Sequence, residues 1–175
     1  MWLVAFWPST AAQIGFELRR LPPHGRERES HTVITMVQSS PTRRPVVIVD
    51  DQPLVRRGLK AVIDAEPDLI VCGEAATRED GLRAIAAVRP DLVVVELSLV
   101  RGDGLELIRE SRCRYEGLRV LALTMHDAPL YVRRVFAAGA SGYVTKSEMT
   151  ETLLAAIRSV LSGGTYRGAR DLTGC

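Results

Sequence analysis

Five short runs of β-branched and other apolar residues, each followed by a stretch of helical length, set the strongest constraint on how this chain folds. The runs are Val46–Val49 (VVIV), Leu69–Cys72 (LIVC), Leu92–Val95 (LVVV), Val120–Leu123 (VLAL) and Gly142–Val144. VVIV and LVVV contain no polar alternation, so they predict strands covered on both faces. Between the runs, apolar residues recur at helical spacing. The stripes are Leu54, Val55, Leu59, Val62 and Ile63; Leu82, Ile85 and Val88, ended by Pro90; Leu105, Leu107 and Ile108, opened by Asp103; Leu130, Val135 and Ala138, ended at Gly139; and Met149, Leu153, Ile157, Val160 and Leu161, closed by Gly163 and Gly164. Strand and helix in strict alternation mean an α/β domain with one parallel sheet, here five βα repeats over residues 45–162.

The rest of the chain adds no second domain. Residues 1–44 mix Pro, Ser, Thr and Arg without sustained periodicity, and two readings stand: a disordered extension, or a start codon placed ahead of the true one, with Met36 shortly before the first strand. The apolar opening MWLVAFW lacks preceding basic residues and a small-x-small cleavage site, which speaks against a signal peptide. Residues 163–175 form a short tail, with no room for three helices of even ~10 residues each. The expectation is a domain that works alone or with a partner.

Charge and cysteine narrow the function classes. The net charge is +2, and six arginines (Arg19, Arg20, Arg26, Arg28, Arg43 and Arg44) lie outside the βα region, which leaves no concentrated basic face for nucleic acid. Cys72, Cys113 and Cys175 are far apart, without metal-ligand or redox spacing, as in a cytoplasmic protein with reduced thiols. No apolar run approaches the roughly 20 residues of a membrane helix.

In a parallel α/β sheet the ligand site gathers at the carboxyl ends of the strands. Strand one ends in Asp50 and Asp51, strand three in Glu96, strand four in Thr124 and strand five in Lys146. Each residue alone has a plain explanation: an aspartate capping a helix, a solvated carboxylate, a strand-end charge, a threonine in a strand by propensity. Together they place three carboxylates, a hydroxyl and an ammonium at one end of the sheet. Crowded carboxylates raise one another's pKa unless a cation intervenes, and hard oxygen ligands suit Mg²⁺ completed by water. Lys146 and Thr124 would then face a phosphoryl group. His126, a lone histidine just past Thr124, has no second ligand nearby and is assigned no role. Gly102, Asp103 and Gly104 read as a turn and a helix start, not a phosphate cradle.

The blocks VVIVDDQPLVRRGL, PDLVVVELSLVRGDGLELI, VLALTMHD and GASGYVTKSE resemble successive signatures of response-regulator receiver domains, above all the NarL-type subfamily, over about residues 45–162. The resemblance implies a flavodoxin-like fold with strand order 2-1-3-4-5. It also implies a metal shell of Asp50, Asp51, the acceptor-position carboxylate and the backbone carbonyl of Ser98. Thr124 and Lys146 would contact the phosphoryl group, and Tyr143 is the aromatic whose rotation reports the active state, against its plain reading as a core ring. Implied partners are proteins, a histidine kinase or another response regulator, with homodimerisation through the face of the fourth helix, fifth strand and fifth helix.

The departures are specific. Glu96 stands where the family carries the phosphate-accepting aspartate, Val100 and Gly102 replace a Pro and an apolar residue, and Ser147 follows Lys146. One more methylene carries the carboxylate about 1–1.5 Å further, a displacement that can cost roughly 10²-fold in attack geometry. Two readings of Glu96 remain: partial phosphate mimicry, or pairing with Lys146 that freezes an inert pseudo-receiver. Three functions follow. The first is an atypical stand-alone receiver that is not phosphorylated at Glu96 and is no enzyme. The second is a NarL-type transcription regulator that has lost its DNA-binding domain. The third is a Mg²⁺-dependent phosphatase with Asp50 as nucleophile, which would want a carboxylate where Gln52 stands.

Overall fold

The computed structural model describes residues 42–100, 103–125 and 128–168. The reading of residues 1–41 as extension or early start lies outside them, as do Gly102, His126 and the last seven residues of the tail. Five strands alternate with five helices: β1 (Arg44–Val49), α1 (Pro53–Asp64), β2 (Leu69–Ala75), α2 (Arg78–Val88), β3 (Leu92–Glu96), α3 (Gly104–Arg114), β4 (Arg119–Thr124), α4 (Pro129–Ala137), β5 (Gly142–Thr145) and α5 (Met149–Leu161). All pairings are parallel, in the order β2-β1-β3-β4-β5. This is the flavodoxin-like architecture that the resemblance implies.

The unalternating strand runs are explained by two cores. Val47 and Val49 face one, with Ile85 of α2, Leu107 and Ile108 of α3 and Val135 of α4. Val46 and Ile48 face the other, with Leu59 and Ile63 of α1 and Leu153, Ile157 and Val160 of α5. Successive side chains of one strand point to opposite faces, so both parities must be apolar when helices cover both faces.

Some expected core positions fall elsewhere. Leu54, Val62 and Leu130 are largely exposed, while Val132, absent from the expected stripe, is buried in α4. In α1 the inward line runs through Leu59 and Ile63, four residues apart, and Leu54 is rotated off it. Strand β2 also runs three residues past the expected LIVC. Its ladder with β1 slips between Val46 and Val47, so Cys72 is an extra residue that lets Gly73–Ala75 pair on with Val47–Val49.

The chain steps from β1 to β2 on one side and then crosses to β3 on the other. The carboxyl ends of β1 and β3 therefore flank the point where the strand order reverses, the crevice where such sheets bind ligands.

Candidate functional site

Asp50 and Asp51 follow β1, Glu96 is the last residue of β3, Thr124 the last of β4, and Lys146 comes directly after β5. Asp50, Glu96 and Thr124 are buried. Lys146 Nζ lies 2.6 Å from Asp50 Oδ2 and 2.7 Å from Glu96 Oε2. Both contacts are close ion pairs in which the ammonium lies off the line of an aligned hydrogen bond. Burial pulls the Lys146 pKa down, but the Asp50 and Glu96 carboxylates outweigh it and hold the group above the ordinary lysine value. Its charge is thus fixed at neutral pH.

Backbone donors hold the remaining carboxylate oxygens. Gln52 N–H donates to Asp50 Oδ1 (2.8 Å), and Ser98 N–H donates to Glu96 Oε1 (2.9 Å). Both span two residues, the local turn that a carboxylate makes with the backbone just after it. Glu96 therefore has one oxygen on Lys146 and the other on the β3–α3 loop. Asp51 Oδ2 accepts from Val100 N–H at 3.0 Å, which ties the β1–α1 loop to the β3–α3 loop across the crevice. Behind Glu96, α3 starts very close: a Cβ on Gly104 would stand 2.3 Å from the Glu96 carbonyl oxygen, so only glycine fits. Asp103 caps that helix through Leu105 N–H.

Thr124 and Tyr143 stand where site meets core. The Thr124 carbonyl accepts from Lys146 N–H at 2.8 Å, fixing the lysine backbone to the end of β4. Tyr143 is buried in the same core as Val132 and Val135 of α4.

Arg56 is a participant that the sequence did not single out. One turn into α1, its Nη1 donates to the Asp50 carbonyl at 2.6 Å, and its Nε lies 3.9 Å from Glu74 Oε2 of β2. Helical side chains lean toward the helix N-terminus, which brings this guanidinium over the β1–α1 loop. The only sequence signal was an arginine in the first turns of a helix that follows an acidic pair.

The residues suit a hydrated Mg²⁺. Asp51 Oδ1 is buried without a hydrogen-bond partner, and a cation is what such an oxygen lacks. Among the described residues, no group of three or more His, Cys, Asp or Glu side chains is arranged around one metal position. Mg²⁺ commonly needs only one or two carboxylates plus water, so Asp51 and Asp50 suffice as protein anchors.

Comparison with known proteins agrees with this fold. Residues 46–158 match the model of the response regulator receiver domain. The transcriptional regulatory protein DegU of Brevibacillus brevis is 31% identical over 121 residues, 69% of this chain and 51% of that protein. The response regulator UvrY of Escherichia coli K12 is 32% identical over 121 residues, 69% of this chain and 56% of that one. The chain thus spans just over half the length of these relatives. Among solved structures, a LuxR-family two-component response regulator from an Aurantimonas species superposes with a TM-score of 0.69 at 36% identity, covering 71% of this chain and 89% of that one. The signal receiver domain of NarL from Mycobacterium tuberculosis does so at 0.67 and 28%, covering 70% and 99%. No described helix is long and apolar enough to cross a membrane.

Proposed function

This chain belongs to the response regulator receiver family, and on that premise we propose that it is a signalling module whose input is not phosphorylation of its acceptor-position carboxylate. The observation that carries this reading is the double engagement of Glu96, with one oxygen 2.7 Å from Lys146 Nζ and the other accepting from Ser98 N–H. A nucleophilic carboxylate must present a free oxygen in line with the phosphorus atom. Here one oxygen is paired with the lysine charge and the other accepts from a backbone donor, and the longer side chain carries both further than an aspartate would.

Of the two roles for that carboxylate, a locked site is favoured over phosphate mimicry. Lys146 remains as close to Asp50 as to Glu96, so the glutamate has not drawn the lysine to itself. Its charge of about −1 is also less than the −1.5 to −2 of a phosphoryl group. Mg²⁺ would be held by Asp51 and Asp50, with the Ser98 carbonyl as the further ligand that the resemblance implies. Bound there, it would neutralise the excess of carboxylates around one lysine. Thr124 and Tyr143 keep the path from site to α4 and β5 physically present, and output would pass through contact with another protein, a histidine kinase or a second response regulator. The test is incubation with acetyl phosphate and Mg²⁺ followed by intact-mass and peptide mapping. No phosphoryl adduct is expected on Glu96, and one would overturn the reading; Glu96→Asp should gain the adduct.

A second reading is the receiver part of a longer NarL-type transcription regulator. It is favoured by the relatives' length and by their description as transcriptional regulatory proteins. A helix-turn-helix encoded in frame beyond the Cys175 codon would establish it, and its absence would return the chain to the stand-alone reading.

A further inference from the structure

The segment after α5 turns back onto the sheet. Past Gly163, in the left-handed region at φ 93°, Tyr166 runs alongside β5 and bridges to Gly142 in parallel. Tyr143 N–H donates to the Tyr166 carbonyl (2.8 Å), and Tyr166 N–H donates to the Ser141 carbonyl (3.3 Å). These groups lie on the outer edge of β5, the terminal strand of the sheet. The Tyr166 ring packs, half-buried, against the core under α5. Next along, the Arg167 guanidinium lies over the Phe136 ring of α4, 4.6 Å from its centroid. Residues 164–168 therefore pass from α5 across the edge of β5 to α4, over the face through which the sequence reading has a homodimer form. The fit is close: a Cβ on Gly142 would stand 2.7 Å from Leu121 Cδ1, 2.8 Å from Val160 Cγ2 and 3.4 Å from Tyr166 Cβ.

An uncovered edge strand is a template for another chain. Lifting this segment would expose Ser141 C=O and Tyr143 N–H, which across a two-fold axis are self-complementary. We propose that residues 164–168 are a built-in plug of the β5 edge, competing with a second copy of this chain for the α4–β5–α5 face. With the plug seated the chain is held monomeric; with it displaced, two copies pair through the exposed edge. The plug grips both elements that a switch at Thr124 and Tyr143 would move, since it bonds the Tyr143 backbone and stacks on Phe136. A shift of α4 against β5 would therefore loosen it. The inference does not depend on whether Glu96 accepts phosphate.

The test compares the full chain with Arg167→Glu and Tyr166→Pro by sedimentation equilibrium. Arg167→Glu changes an exposed side chain and places a carboxylate over the Phe136 ring. Tyr166→Pro removes the N–H that Ser141 accepts. Both variants should self-associate at least about tenfold more tightly than the native chain; equal or weaker association in Arg167→Glu overturns the proposal even if the proline variant misfolds. Amide exchange supplies a second readout. The Tyr143 amide should be protected in the dilute native chain and lose that protection in dilute Arg167→Glu. An unprotected Tyr143 amide in the native chain means the plug is not seated, and the idea fails.

Discussion

Lys146 and Arg158 each sit between two carboxylates, and they differ in burial and in hydrogen-bond alignment. Lys146 lies between Asp50 and Glu96, with side-chain exposures of 6%, 1% and 3%. Arg158 of α5 lies between Glu66 and Asp68 of the α1–β2 loop, with exposures of 46%, 25% and 40%. Arg158 has the better hydrogen bonds, Nε and Nη2 forking onto the two oxygens of Asp68 (3.2 and 2.9 Å) while Nη2 also meets Glu66. Lys146 has the poorer alignment and the greater consequence. Water can replace a partner lost from the exposed trio; nothing replaces one lost from the buried trio.

Removing Lys146 should have the largest effect. Lys146→Met leaves Asp50 and Glu96 buried against each other with no counter-ion, and we expect a loss of about 3–5 kcal/mol in urea unfolding. A loss below about 1 kcal/mol would mean that water reaches these carboxylates. Base removes the same charge by titration. The folded pKa of Lys146 is raised, so its contribution is complete below the ordinary lysine value, about 10.4, and is lost as pH rises from there through the folded value. Stability measured upward from that pH should therefore fall more steeply in the native chain than in Lys146→Met. Parallel slopes would show that the raised value contributes nothing.

Mg²⁺ sharpens the contrast at an intermediate scale. Asp51 Oδ1, buried and unpartnered, should bind the ion only in the folded chain, so a tenfold excess over Kd should add about 1.4 kcal/mol. Asp51→Asn should abolish that gain, and an undiminished gain in the variant would move the metal elsewhere.

Much of this arrangement is legible in the sequence, because it follows from backbone geometry. Strands with no polar alternation must be covered on both faces, and the residue after such a strand must stand at the sheet's carboxyl edge; this alone places Asp50, Asp51, Glu96, Thr124 and Lys146. What the sequence leaves open is set by side-chain reach and helix rotation. The stripe through α1 is right at Leu59 and Ile63 and wrong at Leu54 and Val62, because a rotation of one residue position turns a side chain through about 100°. Arg56 reaches the Asp50 carbonyl from a helix whose tilt no periodicity reports. The bridge of Tyr166 to Gly142 lies in a stretch too short to show any pattern. The contact of Glu96 with Ser98 N–H depends on how a loop closes, and the glutamate's longer side chain alone did not specify it.

The smallest expected effect concerns Arg158. Asp68 first and Glu66 second hold its pKa above the ordinary arginine value, a sign of favourable contact that nonetheless says little about folding, because the unfolded arginine is also charged at any working pH. Its partners are open to solvent, and at 0.15 M salt charges are screened over about 8 Å. Arg158→Gln, which keeps much of the side chain, should therefore melt with the native chain within measurement error at physiological salt. Any difference should appear at low salt and shrink as salt is added. Should Arg158→Gln instead cost as much as Lys146→Met, with no dependence on salt, burial would not be what separates the two trios. The joint between α5 and the α1–β2 loop would then carry as much of the fold's stability as the buried site.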